Sequence, residues 1–105
     1  MNQQALLKQA SELLRFYQAQ YKEYHGRPPL VNMHKDKWSA RDLVESFGLD
    51  RCREGVLWYF KVRTAHDWQT FAYAAQNYIT ESESVQADKI KRAAQRRAAW
   101  EWRNK

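Results

Sequence analysis

Apolar side chains recur at three- and four-residue steps from the start of the chain, at Leu6, Ala10, Leu13, Tyr17, Tyr21 and Tyr24. Leu7 and Leu14 widen the stripe, while Lys8, Glu12, Arg15 and Lys22 lie largely off it. This is the period of an amphipathic helix and predicts one over residues 3–24. It is expected to stop near Gly26, because Gly tolerates the left-handed backbone that ends a helix and Pro28-Pro29 cannot continue the hydrogen-bond ladder. Residues 27–35 read as an extended connection. Ser39 is then a candidate N-cap for a short helix over 40–47, with Leu43, Val44 and Phe47 on one face and Gly48 as its end. Asp50 is a candidate cap for a helix over about 51–63. Its consecutive Val56, Leu57, Trp58, Tyr59 and Phe60 make it apolar around much of its circumference and predict the most buried element. Thr64-Ala65-His66-Asp67 supplies another start, and Trp68, Phe71, Ala72, Ala75, Tyr78 and Ile79 mark a fourth helix.

Thr80-Glu81-Ser82-Glu83 fits a capping box and predicts that a fifth helix begins there and runs over about 81–103. Beyond Val85 and Ile90 its apolar content is mostly alanine until Trp100 and Trp102, which offers little area to hold it against a body. The expected architecture is all-α: a four-helix bundle over 1–80, and a basic C-terminal helix over 81–105 that extends the same domain and projects or docks weakly.

Composition agrees with the periodicity. A chain of 105 residues suits one domain, and three Gly and two Pro leave few of the turns that an all-β fold needs. Cys52 is the only cysteine, so no internal disulfide can form. The start lacks the charged-then-apolar pattern of a secretory signal. The longest apolar run, Val56 to Phe60, is far short of a membrane span. These features lead us to expect a cytoplasmic protein with no membrane association.

Charge is distributed unevenly. Residues 88–105 hold seven basic side chains against two acidic ones, whereas residues 1–87 hold eleven against ten. A nearly neutral body with a cationic tail favours a polyanion or an acidic protein face as partner. On a helix, Lys89, Arg92, Arg96 and Arg103 fall along one side, and Lys91 and Arg97 broaden the positive surface. Such cations can neutralise phosphates in a salt-sensitive, largely sequence-independent way, and Trp100 and Trp102 are candidates to stack on unpaired bases or to anchor a partner.

Catalysis has weaker support. His25, His34 and His66 are nine and 32 residues apart, and none stands at helical spacing from another metal-ligating residue, so neither a metal nor a cofactor is expected. Cys52 lies between Arg51 and Arg53, which favour a thiolate, but has no base near it in sequence. Residues 40–60 match the first helix and turn of a helix-turn-helix, but Trp58, Tyr59 and Phe60 would then stand where a recognition helix needs polar groups. Fifteen aromatic side chains exceed what a core of this size readily encloses, so Tyr17, Tyr21, Tyr24 and Trp38 are candidates to face a protein partner. The first helix is also a candidate homodimer seam.

The stretch Trp38-Ser-Ala-Arg-Asp-Leu43-Val-Glu-Ser-Phe47-Gly-Leu, then Val56-Leu-Trp-Tyr-Phe60 and Trp68-Gln-Thr-Phe71, resembles the small helical modules of bacteriophage replication accessory and replisome-organiser proteins. The likeness covers about residues 21–79 and rests on hydrophobic spacing. It implies a phage-encoded protein of the host-cell cytoplasm that helps to assemble a replication complex, binding DNA and a helicase or another replication protein. The expected organisation departs from those proteins in having no separate DNA-binding domain ahead of the module and in ending in a basic helix. The functional expectation is a non-enzymatic nucleic-acid-binding accessory protein, with DNA ahead of RNA. The alternatives are a protein-binding adaptor or inhibitor and, behind it, a transcription regulator using residues 40–60.

Overall fold

The computed structural model describes residues 2–103, and these form an all-α structure with no strand among them. Helix α1 spans Gln3–His25. The Asn2 side chain accepts from the Ala5 amide at its start, and Gly26 closes it in the left-handed conformation at φ 74°. Helix α2 spans Met33–Phe47, so it starts seven residues before the expected Ala40. Its cap is Asn32, whose side chain accepts from the amides of His34 and Lys35 while the Asn32 amide donates to Asp36. Ser39 lies inside α2 rather than at its start. The Ser39 hydroxyl donates to the Asp36 carbonyl and accepts from Trp68 Nε1 at 2.9 Å.

Gly48, at φ 84°, turns the chain directly into α3, Leu49–Val62, which has no side-chain cap; Asp50 lies inside its first turn. Asp67 caps the short α4, Trp68–Tyr73. The expected fourth helix is therefore interrupted at Ala74, and the last helix, α5, runs unbroken from Ala75 to Arg103. Thr80 to Glu83 are interior to it. Their carboxylates bond sideways rather than back to a cap: Glu81 accepts from Trp58 Nε1 at 2.9 Å, and Glu83 pairs with Arg51 at 2.8 Å.

The core draws on every helix: Leu13, Leu14 and Tyr17 of α1, Val44 of α2, Val56, Tyr59 and Phe60 of α3, Trp68 and Phe71 of α4, and Tyr78 and Ile79 of α5. Helix α3 is sandwiched between α1 and α5. The approach to α5 depends on Gly55, where a Cβ would stand 2.6 Å from Ile79 Cγ1. Helix α3 is less enclosed than expected, for Leu57 is exposed and Trp58 is half-buried at the rim. The first-helix stripe, a candidate dimer seam in the sequence, is instead consumed here, with Leu6, Ala10, Leu13, Leu14 and Tyr17 all buried within the chain.

Burial on α5 ends abruptly. Ala75, Tyr78, Ile79 and Ser82 are buried and Val85 is partly covered, but every residue from Gln86 to Arg103 is exposed. Those 18 residues make a helical arm of about 27 Å. The radius of gyration is accordingly 17.3 Å, against about 13 Å for a compact chain of this length. Side-chain burial on this continuous helix thus ends after Val85.

Candidate nucleic-acid interface

The arm carries Lys89, Lys91, Arg92, Arg96, Arg97, Trp100, Trp102 and Arg103, and all are exposed. Helical spacing relates them to the body. Ala75, Tyr78, Ser82 and Val85 follow at steps of three and four along the side of α5 that packs on the other helices. Continuing at the same steps gives Lys89, Arg92 and Arg96, and then Arg103 one further period on. One stripe of α5 is therefore buried as far as Ser82, partly covered at Val85 and cationic beyond it. Lys89 to Arg103 covers about 21 Å of helix axis.

This arrangement limits what can cover the arm. A face bearing four cations cannot be buried against an apolar element without desolvating each charge, which is costly unless an opposite charge meets it. A second arm of the same kind would repel it. An extended anion would instead replace bound water with charge-assisted hydrogen bonds along the stripe. Arg92 is already engaged within the arm, its Nε 3.0 Å from Asp88 Oδ2 one turn earlier. The pair is exposed, so it lowers the local charge while adding little stability. Lys91 and Arg97 stand to either side of the stripe and extend the positive potential around the helix.

The two arm tryptophans are 66% and 82% exposed, at Trp100 and Trp102 respectively. Two positions apart on a helix, they point to nearly opposite sides, so they do not make one stacking platform. Trp100 is on the cationic side and Trp102 is away from it.

The four aromatic residues proposed to meet a protein partner separate in the structure. Tyr17 is completely buried, its ring 5.3 Å from those of Phe60 and Trp68, and it presents no surface to a partner. Its position on the inner side of α1 puts it at the centre of the core. Tyr21 is half-buried and packs on His25. Tyr24 and Trp38 are each about half exposed, and Arg41 lies over the Trp38 ring at 5.2 Å.

The groups considered for catalysis have structural surroundings. Cys52 is buried, and burial pushes its thiol up to about 11 against the opposing pull of Arg51, so the thiolate that its neighbours in sequence favour does not form near neutral pH. Arg51 pairs with Glu83, and Arg53 lies near Glu12 and Asp50, so neither arginine is presented as a recognition helix would require. Helix α5 also covers part of α3, with Gln86 donating to Glu54. Sequence spacing did not reveal that His25 and His66 meet, with Nε2 and Nδ1 2.8 Å apart. No group of three or more metal-ligating side chains occurs among the described residues, and none of their helices is long and apolar enough to cross a membrane. Comparison with known proteins finds no matching family model, no matching curated protein and no matching solved structure.

Proposed function

We propose that this chain is a non-enzymatic nucleic-acid-binding accessory protein whose helical arm, residues 86–103, contacts phosphates. The observation that carries the reading is the change along one stripe of α5, from buried at Ser82 and partly covered at Val85 to cationic at Lys89, Arg92, Arg96 and Arg103. A solubilising surface needs no such alignment, whereas a phosphate-lined ligand benefits from cations at successive turns. The resemblance of residues 21–79 to phage replication modules suggests DNA replication as the setting, with a replication protein as a second partner.

Salt dependence tests this reading. Six arm cations neutralising phosphates give a slope of log affinity against log salt near −5, a roughly thousandfold loss between about 50 and 200 mM salt. The combined Arg92→Gln, Arg96→Gln and Arg97→Gln variant is expected to flatten the slope to about −3. A slope unchanged by the three substitutions contradicts the reading. The second reading, a protein adaptor, is favoured by the exposed Tyr24 and by Trp38 with Arg41 over its ring. It predicts a protein contact that survives loss of the arm charges but not Trp38→Ala.

A further inference from the structure

Taking the nucleic-acid reading as its premise, we infer that the occupant of the arm is B-form double-stranded DNA, with residues 89–103 lying in its major groove. The arm is a convex rod, solvent-exposed at every residue from Gln86 to Arg103. A helix with its side chains is about 10–12 Å across, and the B-DNA major groove is about 12 Å wide. Five of the 18 arm residues are alanine, at 87, 93, 94, 98 and 99, which keeps the rod at the slim end of that range.

The angular placement of the charges fits a groove better than a single strand. At about 100° per residue, Lys89, Arg92, Arg96 and Arg103 fall within about 60° of one another. Ala93 and Ala99 flank this sector on its two sides, with Trp100 standing between the sector and the line of Ala93 toward the end of the arm. Arg97 and Lys91 lie further round in opposite directions, where they can meet the two phosphate walls of a groove. A flat run of phosphates would leave at least one of them facing away. Single-strand binders use a concave channel with aromatic platforms for successive bases, and neither the convex arm nor the opposed Trp100 and Trp102 provides one. A-form RNA duplexes present a major groove too deep and narrow for side chains to read.

The geometry also accounts for direction. Because the cationic stripe continues the packed stripe, the cations lie on the same side of α5 as α3. Near its start α3 meets α5 through Arg51 with Glu83 and through Glu54 with Gln86. Arm and body therefore enclose a corner, and a duplex seated on the arm stops against the body at that end.

The test uses the full chain and three labelled probes: a DNA duplex, an RNA duplex of the same sequence, and the single DNA strand. Anisotropy titrations are combined with dimethyl sulfate footprinting of guanine N7, an atom exposed only in the major groove. A second protein, carrying Ala93→Trp and Ala99→Trp, thickens the arm on both flanks of the cationic sector without changing its charge, and circular dichroism checks that it stays helical. The inference predicts DNA-duplex affinity at least about tenfold above that for the RNA duplex, protection of guanine N7, and a loss of about tenfold in DNA-duplex affinity for the thickened arm. Equal affinity for the two duplexes, an unprotected N7, or full affinity in the thickened variant overturns the groove assignment and leaves phosphate binding intact. Binding to none of the probes overturns both this inference and its premise.

Discussion

His25 Nε2 lies 2.8 Å from His66 Nδ1, joining the last residue of α1 to the connection between α3 and α4. The contact needs a donor on one ring and an acceptor on the other, so it fails when both facing nitrogens carry protons. His66 also stacks on Phe60 at 4.2 Å, with Tyr24 and Tyr59 against it edge-on. Burial holds its imidazole below the ordinary histidine range, and the neighbouring His25 acts in the same direction. The carbonyls of Arg63, Phe60 and Tyr59 oppose the shift without reversing it.

A pH dependence of stability follows from that direction. His66 has a lower pKa folded than unfolded, so its contribution is fully present above the unfolded value of about 6.5 and is lost as pH falls through the folded value. Thermal unfolding followed across this range should show the melting temperature falling as the solution is acidified below neutrality. His66→Phe should flatten that part of the profile. A profile identical in the variant contradicts the assignment to this histidine.

Tyr17 makes a prediction about the core. Its hydroxyl is buried without a hydrogen-bond partner, and burial pushes its ionisation well above the usual phenol range. Removing the hydroxyl by Tyr17→Phe keeps the ring contacts and relieves an unpaired polar group, so stability is expected to hold or to rise by about 1 kcal/mol. Tyr17→Ala, which removes the ring, should cost about 3–5 kcal/mol. Denaturant unfolding measures both, and a loss above about 1 kcal/mol for Tyr17→Phe would mean that the hydroxyl is not an unpaired group in the core.

Asp88 restrains the arm. Its carboxylate occupies Arg92 at 3.0 Å, so Asp88→Asn removes a negative charge from the arm and releases an arginine on the cationic stripe. Affinity for duplex DNA at low salt should rise several-fold, with the slope of log affinity against log salt steeper by up to about 1. The exposed pair stabilises little, so the melting temperature should barely change. Unchanged affinity in the variant would mean that Arg92 does not face the ligand.

The sequence carried the helices more clearly than their boundaries. Gly26 and Gly48 ended helices where their backbone freedom predicted, and Asp67 capped α4. Ser39 was misleading because a serine hydroxyl suits a cap in sequence but is used here to receive Trp68 Nε1, 29 positions away. Thr80-Glu81-Ser82-Glu83 misled for a related reason: α3 supplies partners for Glu81 and Glu83, and Ser82 is buried, so α5 continues through them. The arm cations could be read from spacing because they are local to one helix. The burial of Tyr17 and the meeting of His25 with His66 depend on how separate helices dock, which periodicity within a helix does not encode.

If the arm is the surface that meets nucleic acid, the tryptophan indole signals report it without any substitution. Trp38 lies on α2, Trp58 on α3 and Trp68 on α4, whereas Trp100 and Trp102 lie on the arm. In a nitrogen–proton correlation spectrum of the intact chain, titrating a short DNA duplex should shift the indole of Trp100 and the backbone amides from Gln86 to Arg103. The indoles of Trp58 and Trp68 should stay in place. Shifts confined to Trp38 and the body, with the arm amides unmoved, would contradict binding through the arm and place the contact on the body.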